Sequence, residues 1–156
     1  MLAIGEPAPK FTLKDDSGMV RTLSEEKGAW VLVYFYPKDD TPGCTKEACM
    51  IRDVYDDFKR VGVAVFGVSK DSPASHAKFK EKYGLPFTLL SDPEGEMIAR
   101  YGAWQEKTMF GKKFMGIRRM SYLIDKEGKI AAVYEDVDPA QHAVELLRDL
   151  AALQKK

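Results

Sequence analysis

The chain contains two cysteines, Cys44 and Cys49, and both lie in the segment Pro37-Lys38-Asp39-Asp40-Thr41-Pro42-Gly43-Cys44-Thr45-Lys46-Glu47-Ala48-Cys49. Thiols this close in sequence suit redox chemistry, in which thiolates attack and disulfides form and break. The segment reads as the opening of a helix. Thr41 stands at the N-cap, Pro42 at the first helical position and Cys44 at the third, which is the spacing of a capping box. The Thr41 hydroxyl has two possible partners there, the helix backbone and the Cys44 sulfur. A helix N-terminus carries partial positive charge and unpaired N–H groups. Both favour an anion at Cys44, and the thiolate is the nucleophilic form of cysteine. Gly43 leaves room for a small oxidant to approach. The plainer reading makes Cys44 a small buried hydrophobe and Cys49 a packing residue beside Ala48, Met50 and Ile51.

An intact helix rises about 1.5 Å and turns about 100° per residue, so positions five apart have Cα atoms roughly 8.6 Å apart. A disulfide needs less than about 7 Å. If Cys44 and Cys49 pair, the first turns of the helix must unwind.

The surrounding pattern supplies the elements that place these thiols. Phe11–Leu13 and Val20–Leu23 flank Asp15-Asp16-Ser17-Gly18 and read as a hairpin. Trp30–Tyr36 is a continuous apolar run, as in a strand buried on both faces. Cys44, Ala48, Ile51, Tyr55 and Phe58 mark one stripe of a helix running through position 58. Gly62–Val68 is a second buried strand. Ser72-Pro73 caps a helix reaching about Tyr83, Pro86–Leu90 is a short strand, and Asp92-Pro93 opens a helix ending near Tyr101. Ser121–Asp125 and Lys129–Tyr134 form a hairpin around Lys126-Glu127-Gly128. Asp138-Pro139 caps a last helix with the stripe Ala143, Leu146, Leu147, Leu150 and Leu153, and with Lys155 and Lys156 at its C-terminal end. The order predicts an α/β sandwich in which helices flank a mixed central sheet. Ligands of such sheets sit beyond the carboxyl ends of strands, where the cysteine segment lies.

A length of 156 residues fits one domain, spanning 1–156. Twenty-four basic and 24 acidic residues cancel, which argues against a nucleic-acid footprint. No leader pattern or membrane span is visible, so a reducing, cytoplasmic setting is expected. His76 and His142 lie far apart in sequence, no zinc-ligand spacing occurs, and neither a metal nor an organic cofactor is expected.

The run from Pro37 to Cys44 resembles the Pro-x-x-x-Thr-x-x-Cys signature of peroxiredoxins, and its continuation to Cys49 is similar to the atypical two-cysteine branch called bacterioferritin comigratory protein, or PrxQ. Phe87–Asp92, Tyr101–Trp104 and Gly116–Asp125 resemble the same branch. The resemblance implies a thioredoxin-like fold and reduction of hydroperoxides by thiol chemistry. Cys44 would be the peroxidatic cysteine and Cys49 the resolving one. Pro37 would shield the pocket, and Thr41 would hydrogen-bond the sulfur and the peroxide. Arg119 matches the active-site arginine, while Met120 stands where a small residue is commoner. The implied partners are a hydroperoxide substrate and a thioredoxin-like dithiol reductant. A monomer is expected, with a weak dimer as the alternative.

Arg118 and Arg119 are adjacent and would face opposite sides of a strand, so only one can reach the cysteine. Lys107, Lys112, Lys113, Arg118 and Arg119 read as a solvated basic loop, or else as a surface attracting an acidic reductant or a fatty-acid hydroperoxide. Trp104, Met109, Phe110 and Phe114 could line an apolar pocket or pack in the core. A thiol–disulfide oxidoreductase shares these features but places its second cysteine three residues on, and position 47 is Glu. A non-enzymatic holdase is the other alternative.

Overall fold

The structure, a computed structural model, describes residues 2–155, so Lys156 and Met1 lie outside the described residues. The expected N-terminal hairpin is formed by β1 (Thr12–Asp15) and β2 (Val20–Thr22). Its turn is held by the Asp15 carboxylate, which accepts from the Ser17 N–H and hydroxyl and from the Met19 N–H. The chain continues through β3 (Trp30–Phe35), α1 (Pro42–Asp53), α2 (Tyr55–Arg60), β4 (Val63–Ser69), α3 (Pro73–Tyr83), β5 (Thr88–Ser91) and α4 (Glu96–Arg100). It ends with β6 (Trp104–Met109), β7 (Lys112–Ile117), β8 (Met120–Ile124), β9 (Ile130–Tyr134) and α5 (His142–Gln154).

Seven strands form one mixed sheet in the order β2-β1-β5-β4-β3-β8-β9. β3, β4 and β5 are mutually parallel, and β1 and β8 run antiparallel to their neighbours β5 and β3. The alternating sides of β3 explain its unbroken apolar run. Val31, Val33 and Phe35 pack with Phe66, Val68, Ile98 and Tyr122 on one face. Leu32 and Tyr34 face the other way, against Ile51 of α1, Phe58 of α2, Phe79 of α3 and Leu146 of α5. Phe35, the last residue of β3, pairs with Met120, the first of β8. That register leaves Arg119 just beyond the ladder, beside the loop from β3 into α1.

The structure corrects several expectations. The helix after Cys44 does not run unbroken to Phe58. It stops at Val54 (φ −116°, ψ 17°), whose N–H tightens onto the Ile51 carbonyl, and restarts as α2. Strand β3 ends at Phe35, although the Tyr36 N–H still reaches the Val68 carbonyl. Asp92 and Asp138 each organise a turn rather than start a helix outright, so α4 begins at Glu96 and α5 at His142. The largest departure is the basic stretch. Residues 104–117 are not a loop but an antiparallel hairpin, β6 against β7, separate from the main sheet. Its two-residue turn, Phe110-Gly111, has both φ angles positive (52° and 76°), the twist that a tight hairpin requires. Met109, Phe114 and Met115 are exposed and Phe110 is 96% exposed, so they are not core; Trp104 lies under the Lys70 ammonium.

Candidate active site

Helix α1 presents Cys44, Glu47, Ala48 and Ile51 to the interior, one buried face at offsets of three and four. Thr41 is the N-cap, with Pro42 opening the helix and the Thr41 carbonyl accepting from the Thr45 N–H. Its hydroxyl takes neither of the two partners considered above. It donates to the Lys38 carbonyl at 2.9 Å. The hydroxyl proton is therefore engaged within the loop, and the oxygen lone pairs are left for another donor.

Arg119 reaches the sulfur. Its Nη2 lies 3.4 Å from Cys44 Sγ and its Nη1 donates to Glu47 Oε1 at 3.0 Å. One fork of donors thus spans two residues on adjacent turns of α1. A Cβ added at Gly43 would stand 3.0 Å from Arg119 Nη2. The missing side chain makes room for the guanidinium rather than for an incoming ligand. Arg118 turns away, to Gln105 Oε1 and Asp136 Oδ1. Neither arginine lies in a strand; they form the link between β7 and β8.

Cys44 is only 2% exposed, so the sulfur is more enclosed than an attack by a free oxidant suggests. Thr41, Gly43 and Arg119 beside it are half-buried, as is Pro37 in the loop before α1. Cys49 is also half-buried, both cysteines are free thiols, and both lie within the intact α1.

Two residues to which the sequence assigns no catalytic role complete the charge pattern. Glu47 is 0% exposed, and its Oε2 has no hydrogen-bond partner among the described residues. Burial pushes its carboxyl up to about 7, against the pull of the Arg119 guanidinium. A charged residue in line with Ala48 and Ile51 on an apolar stripe was the signal that could have found it. Burial works against the Arg119 charge as well, but Cys44 and then Glu47 outweigh it and hold the guanidinium charged. The second is Lys107. Its side chain lies across Gly116, and its Nζ donates to the Ile117 carbonyl at 2.9 Å. Burial lowers its hold on a proton, Arg119 lowers it further and Cys44 raises it, so this ammonium is within electrostatic reach of both. The β6–β7 hairpin thus braces the arginine link from one side, with Lys107 on Ile117 and Gln105 on Arg118. Tyr34 Oη, over Gly67, is buried without a hydrogen-bond partner among the described residues, and burial and then Glu47 keep it a neutral phenol.

The raised Glu47 carboxyl has a measurable consequence. An unfolded glutamate loses its proton near 4.5, whereas the folded one keeps it to about 7. The native state holds the extra proton across that window, so stability falls as pH rises through it. The difference amounts to roughly 3 kcal/mol. Denaturant unfolding of Glu47→Gln against the parent should show the variant's relative stability growing between those pH values; parallel pH curves would contradict it.

Among the described residues one group could offer three metal ligands, Asp39, Asp71 and His76. Every one of these side chains is already committed to protein hydrogen bonds, and a cation would have to displace them.

Comparisons with known proteins show the family of the whole chain. The AhpC/TSA family model matches residues 4–133. A putative peroxiredoxin bcp from Coxiella burnetii is 50% identical over 146 residues, which covers 94% of this chain and 97% of the relative. Peroxiredoxin Bcp from Bacillus subtilis is 44% identical over 155 residues, covering 99% of each chain. Among solved structures, a cysteine-to-serine mutant of Xylella fastidiosa PrxQ matches with a TM-score of 0.92 at 32% identity over 97% of each chain. The Xanthomonas campestris bacterioferritin comigratory protein, described for its alkyl peroxide reduction activity, matches with a TM-score of 0.87 at 36% identity over 91% of this chain and 90% of its own.

Proposed function

We propose a two-cysteine cycle for this chain, which belongs to the AhpC/TSA family and is a thiol-dependent peroxidase with the thioredoxin-like fold of the peroxiredoxins. The observation that carries the proposal is the Arg119 guanidinium 3.4 Å from Cys44 Sγ at the start of α1. The Cys44 thiolate attacks the terminal oxygen of ROOH. An S–O bond forms, the O–O bond breaks, and the electron pair leaves on RO⁻, which takes a proton and departs as ROH. The sulfur is oxidised to a sulfenic acid. Arg119 and the first backbone N–H groups of α1 stabilise the charge that develops on the departing oxygen. Thr41, whose own proton is held by Lys38, offers its oxygen as acceptor to the peroxide O–H. Pro37, half-buried in the loop between β3 and α1, screens the site from water.

The Cys49 thiolate then attacks Cys44 Sγ, an S–S bond forms and the sulfenic oxygen leaves as water. The helical separation of the two residues forbids this bond while α1 is intact, so its first turns unwind. The same opening uncovers the enclosed sulfur. A dithiol reductant of the thioredoxin type restores both thiols by exchange through a mixed disulfide. One domain carries the whole cycle, as a monomer in a reducing compartment such as the cytoplasm. No helix among the described residues is long and apolar enough to cross a membrane.

Amide hydrogen exchange tests the unwinding. Residues 42–52 should exchange markedly faster in the peroxide-oxidised protein than in the dithiol form, with the central strands unchanged. Equal protection in the two forms would rule out the switch.

A further inference from the structure

His76 of α3 is 0% exposed and takes no part in the chemistry described above. Its Nδ1 lies 2.7 Å from Asp39 Oδ2 and its Nε2 lies 2.9 Å from the Leu90 carbonyl of β5. A carbonyl oxygen accepts and never donates, and an ionised carboxylate does the same. A neutral imidazole has one bare nitrogen, which here would point, buried, at an acceptor. The Tyr36 hydroxyl also lies 3.3 Å from Nδ1 but gives its single proton to Asp39 Oδ1 at 2.6 Å, so beside an ionised Asp39 the doubly protonated ring is the form that satisfies both contacts. His142 makes an instructive contrast. Its Nε2 meets the Ser121 hydroxyl, which can donate as readily as accept, and burial lowers its affinity for a proton.

Asp39 sits in the loop that carries the chain from β3 into α1, five residues before Cys44. Besides His76, its carboxylate accepts from the Tyr36 hydroxyl of β3 at 2.6 Å and from the Ser75 hydroxyl of α3 at 2.8 Å. Its N–H donates to Asp71 Oδ2 at 2.8 Å. The next residue, Asp40, is left-handed (φ 55°), and its carboxylate accepts from Lys82 and Tyr83 at the far end of α3. Two successive aspartates therefore clamp the loop to α3. Asp39 is the buried clamp, and the charged or titratable groups around its partner His76 are Asp39 itself, Tyr36 and, through the loop, Asp71.

We propose that His76 is a buried imidazolium whose pairing with Asp39 fixes the loop entering α1, making the two residues positioning groups for the Cys44 sulfur. The inference rests on the reading of Cys44 as the reacting thiol. It also sets a boundary. When α1 unwinds, the chain stays anchored at Asp39, and the movable segment begins after it.

Nitrogen-15 spectra of the reduced, labelled protein near pH 7 test the charge directly. Both ring nitrogens of His76 should carry protons, while His142 shows one protonated and one bare nitrogen. A bare nitrogen on His76 would overturn the proposal. Asp39→Asn and His76→Gln should each speed amide exchange in residues 38–45 and slow oxidation of Cys44 by hydrogen peroxide roughly tenfold to a hundredfold, the scale expected when a reacting group is displaced. The double variant, which leaves no unpaired charge, should recover part of that loss. Folded single variants with parental exchange and parental rates would also overturn it. A parent protein inert to peroxide would sink the reading of Cys44, whereas the spectra and the loop exchange would still decide the ion pair.

Discussion

Cys44→Ser is expected to abolish peroxide turnover, a loss on the order of 10⁴-fold or more, because the group that attacks is removed rather than misplaced. A serine hydroxyl fits the space and keeps the Arg119 contact, so the fold should be retained. Its oxygen is not ionised at neutral pH and does not attack a peroxide. Cys49→Ser should behave differently. It should reduce one equivalent of peroxide at close to the parental rate and then stall, with the sulfenic acid exposed to further oxidation. Steady-state and single-turnover rates, measured on both variants with hydrogen peroxide and an organic hydroperoxide, separate the two roles. Equal losses in the two variants during the first turnover would contradict the division of labour.

Arg119→Ala carries the second large expectation. The guanidinium donates to the sulfur and to Glu47 at once, so removing it deletes a charge at the reacting atoms and takes from the buried Glu47 carboxyl its one partner among the described residues. Loss of one such donor costs about 10²- to 10³-fold in the chemical step. Arg118→Ala should change that step by no more than about threefold, since its partners, Gln105 and Asp136, lie off the site and an exposed pair is worth little. Arg119→Lys should recover only part of the rate, because a lysine keeps the charge but not the planar fork that bridges two acceptors. Stopped-flow oxidation of the reduced proteins by hydrogen peroxide measures all three. Similar losses for Arg118→Ala and Arg119→Ala would contradict the assignment.

Much of the fold was legible because it is written in local periodicity. The apolar run of β3, the Ser72-Pro73 cap of α3 and the stripe of α5 each follow from short-range rules. The place of Cys44 at the start of α1 was legible for the same reason: Thr41-Pro42-Gly43 announces a helix start. The β6–β7 hairpin was not. Its turn places a phenylalanine at a left-handed position, against ordinary turn chemistry, and its outer face keeps exposed Met and Phe residues where a polar alternation would signal a strand. Missing that hairpin left Lys107 in a solvated loop; its inward position depends on strand alternation and on the bare Gly116, diagonal to it across the hairpin.

Glu47 and the Asp39–His76 pair escaped for another reason. Each is a charged or titratable residue on an element that otherwise reads as apolar or as surface. What gives it meaning is a partner 37 to 72 positions away in sequence. Such pairings are created by the fold, which brings the β7–β8 link against α1 and α3 against the loop that enters α1. Spacing along the chain carries no trace of them. The Thr41 hydroxyl illustrates a finer limit: both of its plausible partners could be named from the sequence, and it chose a third, the Lys38 carbonyl, because the loop folds back on itself.

The account stands on Cys44 as the atom that peroxide oxidises. Mixing reduced Cys49→Ser protein with one equivalent of hydrogen peroxide, trapping with a sulfenic-acid reagent after milliseconds and mapping the adduct by mass spectrometry tests this most directly. The adduct should appear on Cys44 in near-stoichiometric yield, and the parent protein treated the same way should instead show a Cys44–Cys49 disulfide. An unmodified Cys44 in the variant, with peroxide left unconsumed, would contradict it.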